Sequence, residues 1–186
     1  MRELALHLLD IAENSIAAGA SRVEISISED TQADRLTISV ADNGRGMDAE
    51  TVSRVVDPFY TTRTTRKVGL GIPLLKEAAE ACDGGLKIWS QPGNGTRLVV
   101  EFQRSHIDRM PLGSVAETFI TLLISAPQIH WILNYDADSR TFTFDDEEMK
   151  QTLDGVPITE PDILGWLRET IEAGIAEIQP AQTLSI

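Results

Sequence analysis

Apolar and polar positions alternate along the chain with two different periods. Residues 3–17 repeat apolar side chains at spacings of three and four, which predicts an amphipathic helix. Residues 23–29 and 35–42 alternate at every second position and flank the polar turn DTQAD, which predicts a hairpin. Further along, the same criteria predict helices over 48–56 and 72–85, a non-periodic loop over 57–71, and strands over 86–91 and 96–104.

This order of elements predicts an α+β fold. Three helices with two pairs of strands suit a two-layer α/β sandwich, in which the helices cover one face of a mixed sheet. We therefore expect one domain over residues 1–105.

The remaining residues, 106–186, are expected to form a small C-terminal α+β extension. The pattern predicts an apolar helix over 112–126, a hairpin over 129–144, and helices over 145–153 and 159–178. Trp131, Trp166 and the apolar helix are candidates for a face that binds a partner protein.

The charge and the cysteine content exclude several classes of protein. The net charge is −13, with 16 basic and 29 acidic residues, so we expect no sequence-independent binding of nucleic acid. The single cysteine, Cys82, excludes an internal disulfide and suits a reducing compartment. No apolar run is long enough for a membrane span and no signal peptide is evident, so we expect no membrane association and a cytoplasmic location.

One polar pair suggests chemistry at the N-terminal end. Asp10 and Asn14 are one helical turn apart on a polar stripe that also carries His7. A carboxylate there can orient or deprotonate a nucleophile, and an amide oxygen can ligate Mg²⁺. The alternative is a solvated polar face of an amphipathic helix. His7 is interpreted as a polar edge residue, with a phosphate contact as the alternative.

Glycines occur in three further segments that could shape a ligand site or a turn. ADNGRGM (41–47) places Asp42, Gly44 and Gly46 at a strand end, where a carboxylate can accept a hydrogen bond from an adenine amine; a plain Asn-Gly hairpin turn is the alternative. The loop 57–71 is basic and ends with glycines before a helix, which suits a phosphate cradle or a mobile surface loop. GNGT (93–96) suits a hairpin turn.

Taken in order, these segments resemble the boxes of the histidine-kinase-like ATPase superfamily, which includes gyrase B, MutL, heat-shock ATPase chaperones and sensor histidine kinases. The resemblance covers about residues 3–104. It rests on LLDIAENSIAAGAS (8–21), ADNGRGM (41–47), DPFYTT (57–62), KVGLGIPLLKEAAEACDGGL (67–86) and GNGTRLVVEF (93–102).

The resemblance implies a Bergerat-type sandwich that binds ATP and Mg²⁺. Asn14 would hold Mg²⁺ and Asp42 would read adenine, with Gly44 and Gly46 shaping the pocket and Thr96 supporting Asp42 through a water. The other implied nucleotide contacts are Phe59 at the start of the lid, Arg66 and Lys67 (or Arg63) as charge partners, and Gly69, Leu70 and Gly71 beside the triphosphate.

The first box departs from the hydrolysing members of the superfamily, which carry Glu where this chain has Asp10. Asp has the same acid on a shorter stem, so Asp10 is a candidate base, an organiser of Mg²⁺, or a base used on a protein substrate. No phosphoacceptor-histidine hairpin precedes the first box, so we do not expect autophosphorylation within the chain.

Two functions therefore stay open. One is an ATPase or protein kinase that acts in trans on a partner held through the C-terminal extension, with a homodimer as one arrangement. The other is a non-hydrolysing, nucleotide-dependent regulatory module of the anti-sigma kind.

Overall fold

The computed structural model describes residues 3–57 and 71–179. These residues form a mixed six-stranded sheet and six helices. In chain order the elements are α1 (Leu4–Ala17), β1 (Arg22–Asp30), β2 (Arg35–Asp42), α2 (Ala49–Arg54), α3 (Gly71–Glu80), β3 (Gly85–Ser90), β4 (Thr96–Gln103), α4 (Val115–Ser125), β5 (His130–Ala137), β6 (Arg140–Asp145), α5 (Asp146–Leu153) and α6 (Pro161–Ile178).

The strands lie in the order β3-β4-β2-β1-β5-β6, and every neighbouring pair is antiparallel except β1 and β5, which are parallel. Apolar side chains alternate along the strands and collect on one face, because successive residues of a strand point to opposite sides. Ile25 is paired with Val40 on one side and Leu133 on the other, and all three are buried. This face packs against the helices, which confirms the predicted α+β fold.

The C-terminal hairpin continues the N-terminal sheet. β5 lies directly beside β1, and its side chains Trp131, Leu133 and Tyr135 are fully buried. Helix α4 contacts both α1 and α6, and its apolar side chains join the same core. One sheet and one core contain residues from both sides of position 105. The division into two domains at residue 105 stays a prediction.

Polar contacts also tie the end of the C-terminal segment to β1. The Tyr135 hydroxyl donates to Glu29 at 2.5 Å and accepts from Gln179 at 3.0 Å, while Arg104 forms an ion pair with Glu29 at 2.8 Å. Burial and the nearby Glu29 carboxylate raise the pKa of Tyr135, so the phenol stays protonated and keeps donating. This cluster fixes the end of α6 against the sheet.

The C-terminal end predicted for the third helix is wrong. The glycines Gly84 and Gly85 were expected to lie just beyond the helix, but the helix already ends at Glu80. Asp83 adopts a left-handed conformation with a φ of 52°. The N–H of Gly84 donates back to the Ala79 carbonyl at 2.9 Å. A Cβ on Gly84 would lie 1.8 Å from the Glu101 carbonyl oxygen, so this glycine permits close contact with β4. The turn therefore begins before the glycines that the sequence marks as the stop.

Along the described ranges, no helix combines the length and the apolar character needed to cross a lipid bilayer.

Candidate functional site

Asp42, the last residue of β2, is held by two short hydrogen bonds. The Ser15 hydroxyl donates to its Oδ2 at 2.7 Å, and the Gly44 N–H donates to its Oδ1 at 2.8 Å. Ser15 is buried on α1, so the carboxylate links the helix layer to the sheet. Each carboxylate oxygen can accept a further hydrogen bond. Asp42 is thus fixed in direction while it keeps acceptor capacity.

A row of hydroxyl groups continues from Asp42 across the sheet. Thr96 on β4 lies opposite Asp42, and Ser90 on β3 lies opposite Thr96. The Thr96 and Ser90 hydroxyls are 2.9 Å apart, and Ser90 also donates to the Gly95 carbonyl. The register therefore places Thr96 beside Asp42, while the bridging water between them stays a prediction.

The ADNGRGM segment is not an Asn-Gly hairpin turn. It leads from β2 into α2, and Gly44 does not adopt the positive φ that such a turn needs. A Cβ on Gly44 would lie 2.9 Å from the Ala18 Cβ and 3.0 Å from the Asp42 Oδ1. Glycine is therefore needed for close packing between the end of α1 and the carboxylate.

A glycine is needed at position 46 for a different structural reason. Its φ is +66°, and a Cβ there would lie 1.9 Å from the Gln91 carbonyl oxygen. Next to it, the Met47 N–H donates to the Ser90 hydroxyl at 2.8 Å, and the Gly93 N–H donates to the Arg45 carbonyl at 2.7 Å. The segment after Asp42 is thereby docked on the connection between β3 and β4.

Three residues that hold this arrangement were missed at the level of sequence: Ser15, Ser90 and Asn43. The side-chain oxygen of Asn43 accepts from the backbone N–H groups of Ser21 and Arg22, both at 2.9 Å, which anchors the segment to the start of β1. Ser15 is adjacent to Asn14 in the first box and shares the buried side of α1 with Ile11. That apolar line was visible in the sequence, but its partner on β2 was not.

Asp10 lies against the first residue of α3. A Cβ on Gly71 would lie 3.1 Å from the Asp10 Cβ and 3.2 Å from its Oδ2. Two residues 61 positions apart, both predicted to be functional, therefore meet where α1 passes the start of α3. Asn14 is exposed one turn further along α1. The oxygen of its amide is a ligand of the kind that Mg²⁺ prefers, and the predicted role of Asn14 in holding Mg²⁺ stays a prediction.

The interpretation of His7 as a polar edge residue is wrong, because its side chain is only 3% exposed. Its Nδ1 is buried and has no hydrogen-bond partner among the described residues. Burial lowers the pKa of His7, and the Asp10 carboxylate and the Gly71 backbone only partly oppose this shift. The imidazole is therefore held in its neutral form beside Asp10.

Five predicted nucleotide contacts lie outside the described residues and stay predictions: Phe59, Arg66, Lys67, Gly69 and Leu70.

The fold and this arrangement of boxes define a nucleotide-binding class, and comparison with known proteins identifies it. The chain belongs to the family of histidine kinase-, DNA gyrase B- and HSP90-like ATPases, whose model matches residues 1–106. This confirms the resemblance found in the sequence.

Individual relatives match over the same part of the chain. It is 42% identical over 89 residues to the sensor protein kinase FleS of Pseudomonas aeruginosa, covering 48% of this chain and 22% of the relative. It is 35% identical over 88 residues to sporulation kinase C of Bacillus subtilis, covering 47% of this chain and 20% of the relative. The chain thus matches less than a quarter of the length of either kinase.

A solved structure shares the fold over a longer stretch. The crystal structure of the N-terminal domain of a DNA repair protein covers 77% of this chain and 52% of its own chain, with a TM-score of 0.53 and 15% identity.

Proposed function

We propose that this chain binds Mg-ATP between α1, the end of β2 and the start of α3, and uses it on a separate protein as an ATPase or a kinase. The observation that carries the proposal is the double anchoring of Asp42 by Ser15 and Gly44. A carboxylate held in this way suits recognition of a base amine, because both oxygens are positioned before the ligand arrives.

Asp42 and its neighbours would bind the adenine base of the nucleotide. The exocyclic amine of adenine is a donor, and the free lone pairs of Asp42 can accept from it. Gly44 leaves no side chain between the carboxylate and Ala18, and Thr96 lies on the adjacent strand. Guanine carries a carbonyl at the same position, which would face the carboxylate with an acceptor. The pocket should therefore prefer adenine.

The triphosphate of the nucleotide would lie near Asp10, Asn14 and Gly71. The N–H groups at the start of α3 suit a triphosphate, and Arg66 and Lys67 are its charge partners as the sequence predicts them. The Asn14 amide would hold Mg²⁺, which neutralises phosphate charge when it is bound. The side-chain oxygen of Asn14 is the kind of ligand that suits this cation.

Asp10 is the candidate base for the reaction. Its carboxylate can accept a proton from a water or from a hydroxyl of a protein substrate. His7 is packed beside it in neutral form, so it adds no positive charge that would weaken Asp10 as a base. The partner would bind through the C-terminal segment. The buried, unpaired Cys82 suits the reducing conditions of the cytoplasm, where we place the protein.

ATP turnover by the purified chain tests this proposal against a regulatory module that only binds nucleotide. We expect Asp10→Asn to keep Mg-ATP binding within about threefold and to reduce turnover, or phosphate transfer to a partner, by at least about 100-fold. Glu13→Gln is the matched control, since it removes one carboxylate from the exposed side of the same helix. Tight binding of Mg-ATP with equal, negligible turnover in all three proteins would contradict the enzyme proposal.

A further inference from the structure

A groove lies at the edge of the sheet formed by β6, three strands away from β2 and beyond the residues that match the ATPase family. It is bounded by α5, the first turns of α6 and the end of the edge strand β6, and its volume is about 570 Å³. It is therefore a second candidate site, with its own chemistry.

The groove has an apolar lining. Phe144 and Met149 are nearly buried within it, whereas Trp166 on α6 is 50% exposed. Leu153 and Ile163 are partly buried on opposite sides. A tryptophan that leaves half of its surface in water beside such a cavity favours an apolar contact. The apolar lining of the groove can therefore bind apolar side chains of another molecule.

The rim of the groove is acidic, with Asp145, Glu148 and Asp162 among its lining residues. Residues 129–179 contain twelve Asp and Glu against three Lys and Arg. An apolar occupant with positive charges at its edges would match this surface in both respects.

The three basic residues of this segment are already engaged. Lys150 pairs with the buried Asp146 and donates to the Ile129 carbonyl, and Arg168 pairs with Glu117. Arg140 donates to the Glu177 carbonyl. Of the rim carboxylates, Asp145 contacts the His130 ring nitrogen Nε2 at 2.7 Å. Within residues 129–179, none of these three Lys and Arg side chains pairs with Glu148 or Asp162.

One nearby cluster has the composition of a cation site, but the contacts of Lys150 account for it. His130, Asp145 and Asp146 have ligand atoms within 4.8 Å of one another. However, the Lys150 ammonium group already contacts Asp146, and Asp146 also accepts from the Trp131 N–H. The ammonium group supplies the positive charge that the buried carboxylate needs.

We propose that this groove binds a basic amphipathic helix of a partner protein. Its walls are two helices, with lining residues at helical spacings such as Met149, Thr152 and Leu153 on α5 and Asp162, Ile163 and Trp166 on α6. A third helix can pack its apolar side chains between these walls, while its Lys or Arg side chains face the rim carboxylates. This inference does not depend on the nucleotide site.

A pair of synthetic peptides tests the charge requirement. Both are 18-residue amphipathic helices with the same leucine face, and the polar face carries lysine in one and glutamate in the other. We expect the full-length chain to bind the lysine peptide at least about tenfold more tightly, and the affinity to fall with added salt. Equal affinity for the two peptides would overturn the proposal.

Matched variants locate the binding. Trp166→Ala should weaken the lysine peptide about tenfold, whereas Trp89→Ala should change it by less than about twofold, although Trp89 is similarly exposed at 53%. Glu148→Gln with Asp162→Asn should also weaken binding, whereas Glu169→Gln with Glu172→Gln on the exposed side of α6 should not. All variants are expected to keep the circular dichroism spectrum of the parent.

Hydrogen exchange and light scattering identify other occupants. Binding of the lysine peptide should slow exchange in residues 144–166 and leave unchanged the number of copies of the chain in each particle. Protection elsewhere, or a groove covered by a second copy of the chain, would overturn the assignment to a partner helix. The Asp42→Asn variant should bind the peptide as the parent does, so a failure here is separate from a failure of the ATP proposal.

Discussion

Replacing Gly46 with alanine is expected to destabilise the protein far more than the same change at Gly93. Both glycines have positive φ, +66° and +80°. A Cβ on Gly46 would lie 1.9 Å from the Gln91 carbonyl oxygen, whereas a Cβ on Gly93 would have no atom within 4 Å. The two substitutions therefore share the cost of backbone conformation and differ in the close contact.

The magnitude follows from these contacts. A left-handed alanine costs about 1–2 kcal/mol at either position. At Gly46 the Gln91 carbonyl must also retreat by about 1.1 Å, from 1.9 to 3.0 Å. This movement disturbs the Met47–Ser90 and Gly93–Arg45 hydrogen bonds, worth about 0.5–1.5 kcal/mol each. We expect a loss of about 2–5 kcal/mol for Gly46→Ala and about 1–2 kcal/mol for Gly93→Ala.

Urea unfolding followed by circular dichroism measures both losses, and titration with Mg-ATP on the same samples measures the effect on the proposed pocket. Gly46→Ala should also weaken nucleotide binding, because the segment that follows Asp42 is displaced. If Gly46→Ala and Gly93→Ala unfold at the same urea concentration, the close approach to Gln91 does not constrain this segment, and the structural account of the glycine is refuted.

Two further predictions concern the residues around the site. Ser15→Ala and Asp42→Asn, alone and combined, should show a coupling of about 1–2 kcal/mol in urea unfolding because they share one hydrogen bond; additive losses would contradict the direct bond. Burial lowers the pKa of His7 below its ordinary 6.5, so the folded state takes up this proton at a lower pH than the unfolded chain. The free energy of unfolding of the parent, measured relative to that of His7→Gln, should therefore stay constant above about pH 6.5. Below that pH it should fall by up to about 1.4 kcal/mol per pH unit. A difference between the two proteins that does not change with pH would contradict a buried neutral imidazole.

The sequence predicted the type and order of the elements because each has a clear period and a polar or glycine-containing boundary. It did not predict that β5 would pair with β1 in parallel, since residues 22–29 and 130–137 are more than 100 positions apart and nothing local specifies their contact. The end of α3 was misplaced for a related reason. The turn depends on Asp83 in a left-handed conformation and on Gly84 touching β4, which are tertiary constraints.

For the candidate site too, the sequence predicted some residues and not others. Asp10, Asn14 and Asp42 were found from residue chemistry and the resemblance to known boxes. Ser15 was not, because its role is defined by a hydroxyl that reaches a strand 27 positions away. His7 was misassigned, since its polar stripe suggested an exposed edge, whereas the start of α3 covers that part of α1.

The most direct test of the central claim, that Asp42 reads the amine of adenine, is calorimetric titration with Mg-ATP and Mg-ITP, which differ by an amine and a carbonyl at one ring position. We predict that the parent binds ATP at least about tenfold more tightly than ITP, and that Asp42→Asn loses most of this preference. Equal affinities of the parent for the two nucleotides, or no heat with either, would contradict the account.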